Sequence, residues 1–146
     1  DASEEDIIRA SKLVNLHEIV MKMEKGYDTS VGEGGSLLST GEKQLVSFAR
    51  AIISDPAIFV LDEATSSVDT ETEHLIQDAI ANILKKRTSF IIAHRLSTIR
   101  SADRILVIRD GKIIEEGSHN ELLAKKGHYA KLYTSQYTLM LQNEKS

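Results

Sequence analysis

The 146 residues predict an α/β fold, and three observations carry that expectation. The run Ile58-Phe59-Val60-Leu61 is apolar without alternation and ends in the adjacent carboxylates Asp62 and Glu63, which suits a parallel strand buried on both faces that delivers acidic groups to a ligand crevice at its C-terminal end. A second apolar run, Phe90-Ile91-Ile92-Ala93, ends in His94. Around both runs, apolar residues recur at helical spacing.

In chain order, Ile7, Ala10 and Val14, then Ile19, Val20 and Met23, predict two short amphipathic helices up to about Lys25. Residues 26–35 are glycine-rich and read as a connecting loop. Leu45, Phe48, Ala49 and Ile52 mark one face of a helix that begins near Ser39 and stops before Pro56. At its start Ser39 and Glu42 fit a capping box, while the same mouth, with Ser and Gly at hand, offers N–H and O–H groups to an anion. Both readings stand together for Ser39 and Gly41. After the first strand Asp69 is placed to cap a helix with Glu71 and Glu73 in its first turn, whose buried face is Leu75, Ile76, Ala79, Ile80 and Ile83. Beyond His94, a strand over 104–108 turns at Asp110-Gly111 into a strand over 112–116. Ser118 and Glu121 make a second capping box, Gly127 is a helix stop, and a terminal helix runs from Tyr129. On it Tyr129, Leu132, Tyr133 and Tyr137 form a stripe suited to packing.

Composition narrows the function classes. A formal charge of −4 with scattered basic residues gives no electrostatic case for nucleic acid or an anionic membrane surface. Cysteine is absent, which removes disulfides and thiolate metal sites and fits a reducing compartment. No apolar run approaches bilayer-spanning length. No G-x-x-x-x-G-K-[ST] occurs, since the Gly111-Lys112 pair continues into Ile113 and sits in the hairpin turn.

Three motifs in order carry a resemblance: Leu38-Ser39-Thr40-Gly41-Glu42-Lys43-Gln44, then the strand ending in Asp62-Glu63 and continuing Ala64-Thr65-Ser66-Ser67-Val68-Asp69, then Ile92-Ala93-His94-Arg95-Leu96-Ser97-Thr98-Ile99. They resemble the signature, the Walker B strand with its D-loop, and the switch histidine of the ABC (ATP-binding cassette) transporter ATPase family. The later Gly111-Lys112-Ile113-Ile114-Glu115-Glu116-Gly117-Ser118-His119 points to the exporter type. The resemblance covers the whole chain and implies a partial P-loop NTPase (RecA-like) core with part of the ABC helical subdomain. Residues 1–55 would be part of the helical subdomain, including the signature helix. Residues 56–146 would be the C-terminal part of the ATPase core with its terminal helices.

The implied function is ATP binding and hydrolysis that powers transmembrane export through Mg-ATP-dependent dimerisation, at the cytoplasmic face of a membrane. ATP and Mg²⁺ are the implied cofactors. The implied partners are a second nucleotide-binding domain, in a homo- or heterodimer, and the transporter's transmembrane domains, with no nucleic acid. Residue by residue, the resemblance makes Glu63 and His94 catalytic and gives Asp62 a Mg²⁺ ion, held through water. It assigns Ser39, Thr40, Gly41 and Glu42 to the partner's nucleotide, Ser67 and Asp69 to the dimer interface, and Glu33 to coupling with the transmembrane domains, although Ser30 replaces a frequent Glu. In the family the phosphate-binding loop precedes the signature, so the chain reads as the C-terminal part of a nucleotide-binding domain, inactive by itself. Thr40 and Glu42 depart from LSGGQ: they fit a weakened half-site, as in heterodimeric exporters, or ordinary variation in a working homodimer. A soluble ABC-type ATPase of DNA repair or translation and a non-catalytic interaction module are the alternatives.

Overall fold

The computed structural model describes residues 2–62, 68–85, 87–93 and 96–143, which fall into two compact units. In the first unit, α1 (Glu4–Leu13) is followed by α2 (His17–Met21), two single 3-10 turns at Gly26–Asp28 and Glu33–Gly35, α3 (Thr40–Ile53), β1 (Ile58–Asp62), α4 (Thr70–Leu84) and β2 (Thr88–Ile92). Each of the longer helices starts on a side-chain cap. Ser3 and Asp6 form a capping box on α1, with Asp6 standing where Glu or Gln is usual.

The core of this unit forms where α3 packs against α1 and α4. Val14, Leu45, Ile76 and Ile83 are fully buried there, with Phe48, Ala79, Phe59 and Leu61 around them. The two amide side chains Asn15 and Asn82 cross between helices, donating to the carbonyls of Leu75 and Leu13 at 3.3 Å each. Such bonds satisfy carbonyls at a helix end and within a helix that side-chain packing alone would leave to chance.

β1 and β2 are hydrogen-bonded neighbours joined through α4. The expectation that the first strand is buried on both faces is corrected here. Phe59 and Leu61 point into the core, whereas Ile58 and Val60 are 58% and 68% exposed. On β2, Phe90 and Ile92 are likewise 56% and 57% exposed. An unalternating apolar run records that both faces can be buried; the helices of this unit cover one of them.

The second unit contains α5 (Leu96–Ser101), the antiparallel pair β3 (Ile105–Arg109) and β4 (Lys112–Gly117), α6 (His119–Ala124) and α7 (His128–Asn143). The turn between the strands has Asp110 at φ 50° and Gly111 at φ 72°, the left-handed pair that a tight two-residue hairpin requires. A bulge falls between Val107 and Ile108. Val107, Leu122, Tyr129 and Thr98 are buried. The helix stop differs from expectation: α6 ends at Lys125 with Lys126 in the left-handed region at φ 52°, and Gly127 instead opens α7. A Cβ at Gly127 would run into the Glu115 carboxylate. That carboxylate accepts the N–H groups of His128 at 2.7 Å and Tyr129 at 2.8 Å, capping α7 from the neighbouring strand. The expected tyrosine stripe divides: Tyr129 is buried with its hydroxyl 2.7 Å from His119 Nδ1, whereas Leu132 and Tyr137 lie about half exposed.

Candidate functional site

The mouth of α3 is the best-defined polar feature of the first unit. Ser39 is extended and its Oγ accepts the Glu42 N–H at 3.2 Å, while Glu42 Oε2 accepts the Ser39 N–H at 2.7 Å. The box absorbs only part of the helix-end donors: the N–H groups of Thr40 and Gly41 belong to the first turn, where an intrahelical partner is lacking by construction. The Ser39 hydroxyl also keeps its own hydrogen to donate. Ser39 and Thr40 are exposed, so the mouth is open to a ligand, and the positive end of the helix dipole favours an anion there. The Glu42 carboxylate is engaged on backbone at this mouth, the situation in which its charge is least damaging to an arriving anion.

The loop before the mouth is folded on itself. Leu37 donates its N–H to the Val31 carbonyl at 3.0 Å and Leu38 to Gly35 at 2.9 Å, and Gly32 stands at φ 76° where a Cβ would collide with Ser36 Oγ. This places Glu33, in its 3-10 turn, on the surface, and leaves Leu37 74% exposed next to Ser39.

Gly41 behaves differently from its neighbours. It is buried, and a Cβ added to it would overlap the Thr72 methyl and come within 3.0 Å of Val68 Cγ1 and 3.3 Å of Thr72 Cβ. Thr72 is the third residue of α4, and its N–H donates to Asp69 Oδ1 at 2.9 Å. The Asp69 carboxyl is held below its ordinary value of 3.8 by that N–H first and by the Thr72 hydroxyl second. So the expected cap at Asp69 is present, and its first-turn partner Thr72 packs on the expected signature glycine. Sequence reading missed Thr72: the spacing Asp69-x-x-Thr72 marks a cap, but nothing local announces that the methyl meets a helix thirty residues upstream.

Asp62 closes β1 and is exposed. A single accessible carboxylate is compatible with Mg²⁺, which keeps most of its water and takes one or two carboxylates beside substrate phosphates. Glu63, Ser67 and His94 lie outside the described residues. A groove of about 700 Å³ lies at the opposite end of α3, lined by Asp6, Arg9, Lys12, Ile53, Asp55 and Arg87 among others. Arg9 and Arg87 are paired there with Asp6 and Asp55 at 2.7 and 2.6 Å, and the 14-residue α3 separates the groove from Ser39 by about 20 Å.

Comparison with known proteins finds similarity along most of the chain. The sequence model of the ABC transporter family matches residues 3–66. The uncharacterized ABC transporter ATP-binding protein YknV of Bacillus subtilis is 54% identical over 142 residues, covering 97% of this chain and 24% of that protein. The ATP-dependent lipid A-core flippase of Legionella pneumophila (strain Paris) is 54% identical over 136 residues, covering 93% of this chain and 23% of the flippase. A solved structure of a bacterial Atm1-family ABC exporter with ATP bound superposes with a TM-score of 0.80 at 42% identity, over 92% of this chain and 24% of the exporter. The chain thus spans about a quarter of the length of these relatives.

Proposed function

Because the chain belongs to the ABC transporter family of ATP-binding proteins, we propose that it supplies the signature half of an ATP site, with the Asp62-Glu63 carboxylates of another, in an exporter ATPase that closes as a dimer around Mg-ATP. The observation that carries this reading is the capped mouth of α3, with Ser39 and Thr40 exposed and first-turn N–H groups that have no intrahelical partner.

Ser39, Thr40 and Gly41 receive the γ-phosphate of a nucleotide held by the partner domain, through backbone N–H groups and the Ser39 hydroxyl. Glu42 serves the cap. Glu63 orients the attacking water and accepts its proton; His94 contacts the γ-phosphate. Asp62 would hold Mg²⁺ through water, which when bound neutralises charge on the transferring phosphoryl group. Ser67 and Asp69 follow the dimer interface, and Glu33, displayed on its folded loop, meets the transmembrane domains. Phosphoryl transfer needs mainly positioning and charge stabilisation, so dividing these groups between two chains makes hydrolysis conditional on closure. The site would work at the cytoplasmic face of a membrane. Among the described residues no helix is long and apolar enough to cross one.

The test is Glu63→Gln in the full-length protein. It keeps size and removes the charge that orients water, so hydrolysis should fall by about 10²–10⁴, on the order of 3–5 kcal/mol of barrier, with ATP binding retained. Unchanged turnover would remove Glu63 from the catalytic role.

A further inference from the structure

The close approach of α3 to α4 has a chemical consequence at its tightest point. Thr72 is fixed at the start of α4 by its N–H, which donates to Asp69 Oδ1 at 2.9 Å. Its γ-methyl lies where a Cβ at residue 41 would overlap it, and that Cβ would also meet Val68 Cγ1 at 3.0 Å. A β-branched threonine in a helix has few χ1 alternatives by which to turn the methyl away. Just beyond the contact, each helix makes its first intrahelical bond: Lys43 N–H to the Ser39 carbonyl at 3.0 Å, and Glu73 N–H to the Asp69 carbonyl at 2.9 Å. Two helix mouths therefore meet through one methyl group seated on one glycine.

We propose that Thr72 is a positioning residue that sets the α3 mouth against the Asp69 cap, and that residue 41 is glycine because the Thr72 methyl occupies the space of its side chain. The role of the contact in ATP turnover rests on the function proposed above; the contact itself does not. The arrangement links Asp69, Thr72 and Gly41 into one rigid step. A change in the loop that ends at Asp69 displaces the donors of the α3 mouth without passing through the nucleotide.

The experiment is a pair of comparisons on the full-length protein: Gly41→Ala in the natural background, and Gly41→Ala in a Thr72→Ser background, each read against its own parent. Serine keeps a side-chain hydroxyl and the N–H that binds Asp69, and deletes the methyl that the new Cβ would strike. Two readouts are taken, amide exchange at Lys43 and Glu73, and kcat and KM for ATP. In the natural background Gly41→Ala should speed exchange at both amides and lower kcat by roughly tenfold or more, with KM within about twofold, because the displaced donors act on closure and not on nucleotide capture. In the Thr72→Ser background both effects should shrink to within about threefold of the parent.

Exchange that is insensitive to Gly41→Ala, or equally disturbed in both backgrounds, would overturn the proposal. So would restored exchange with kcat still depressed, since that pattern means the arriving nucleotide, and not Thr72, requires glycine at this position. If the parent protein hydrolyses no ATP, the proposed function fails, while the exchange comparison still decides whether Thr72 fixes residue 41.

Discussion

At the scale of single residues, the proposed function gives Ser39 a second role beside its cap, and substitution can separate the two. Its Oγ accepts the Glu42 N–H, a capping bond whose removal typically costs about 0.5–2 kcal/mol, so Ser39→Ala should lower stability by about that amount. Aspartate caps a helix as well as serine does but places a negative charge at the mouth. Ser39→Asp should therefore unfold at a temperature close to that of the parent and yet lose ATP-dependent dimerisation, measured by light scattering in a hydrolysis-deficient background. Dimerisation that survives Ser39→Asp would confine Ser39 to its cap. The cap was legible in the sequence because a capping box is a local pattern, four residues long, and the structure contains it with both bonds made. Thr72 was not legible. Its bond to Asp69 is local, but its methyl meets Gly41 only because α3 and α4 pack closely, and packing distance has no signal within a window of a few residues.

At the scale of elements, α4 and α7 both start on a carboxylate, from different places. Asp69 caps α4 from the residue before it, a signature read directly from the chain; Glu115 caps α7 from a strand thirteen residues upstream, which no local rule reports. Both carboxyls are held below their ordinary values, Asp69 by the Thr72 N–H and hydroxyl, Glu115 by the N–H groups of Tyr129 and His128. A carboxyl whose pKa is lower in the folded state contributes stability that is fully present above its unfolded value and is lost as pH falls through the folded one. The windows therefore lie below about 3.8 for Asp69 and 4.5 for Glu115. Asp69→Ala and Glu115→Ala should each lower the unfolding temperature at pH 7, and the gap from the parent should close as the pH is taken to 3. A gap that stays constant over that range would mean that the lost contacts are steric and not charge-dependent. Gly127→Ala should mimic Glu115→Ala, since its Cβ would displace the same carboxylate from the α7 amides.

At the scale of the whole molecule, sequence reading captured the longer helices and the strands because caps, turns and periodicity are local, missed the six-residue α5 (Leu96–Ser101), which is too short for a periodic signal, and overestimated how much of the sheet this chain covers. Ile58, Val60, Phe90 and Ile92 are each more than half exposed, so each forgoes a large part of the about 1.5–3 kcal/mol that full burial of such a side chain contributes. An apolar sheet face of this kind is relieved by association. Nucleotide affinity in this class of ATPase comes largely from a loop of backbone N–H groups and a lysine around the phosphates, and no G-x-x-x-x-G-K-[ST] is present among the 146 residues. Expressed by themselves, these residues should therefore self-associate and should not bind ATP. Light scattering should report a mass above 16.2 kDa, and calorimetry with Mg-ATP should give no heat of binding at micromolar nucleotide. Val60→Lys, a charge on the exposed face and away from Phe59 and Leu61, should shift the population toward monomer while helix content is unchanged. A monodisperse parent that binds micromolar Mg-ATP would overturn both expectations, and would mean that the phosphates are gripped by groups other than a glycine-rich loop.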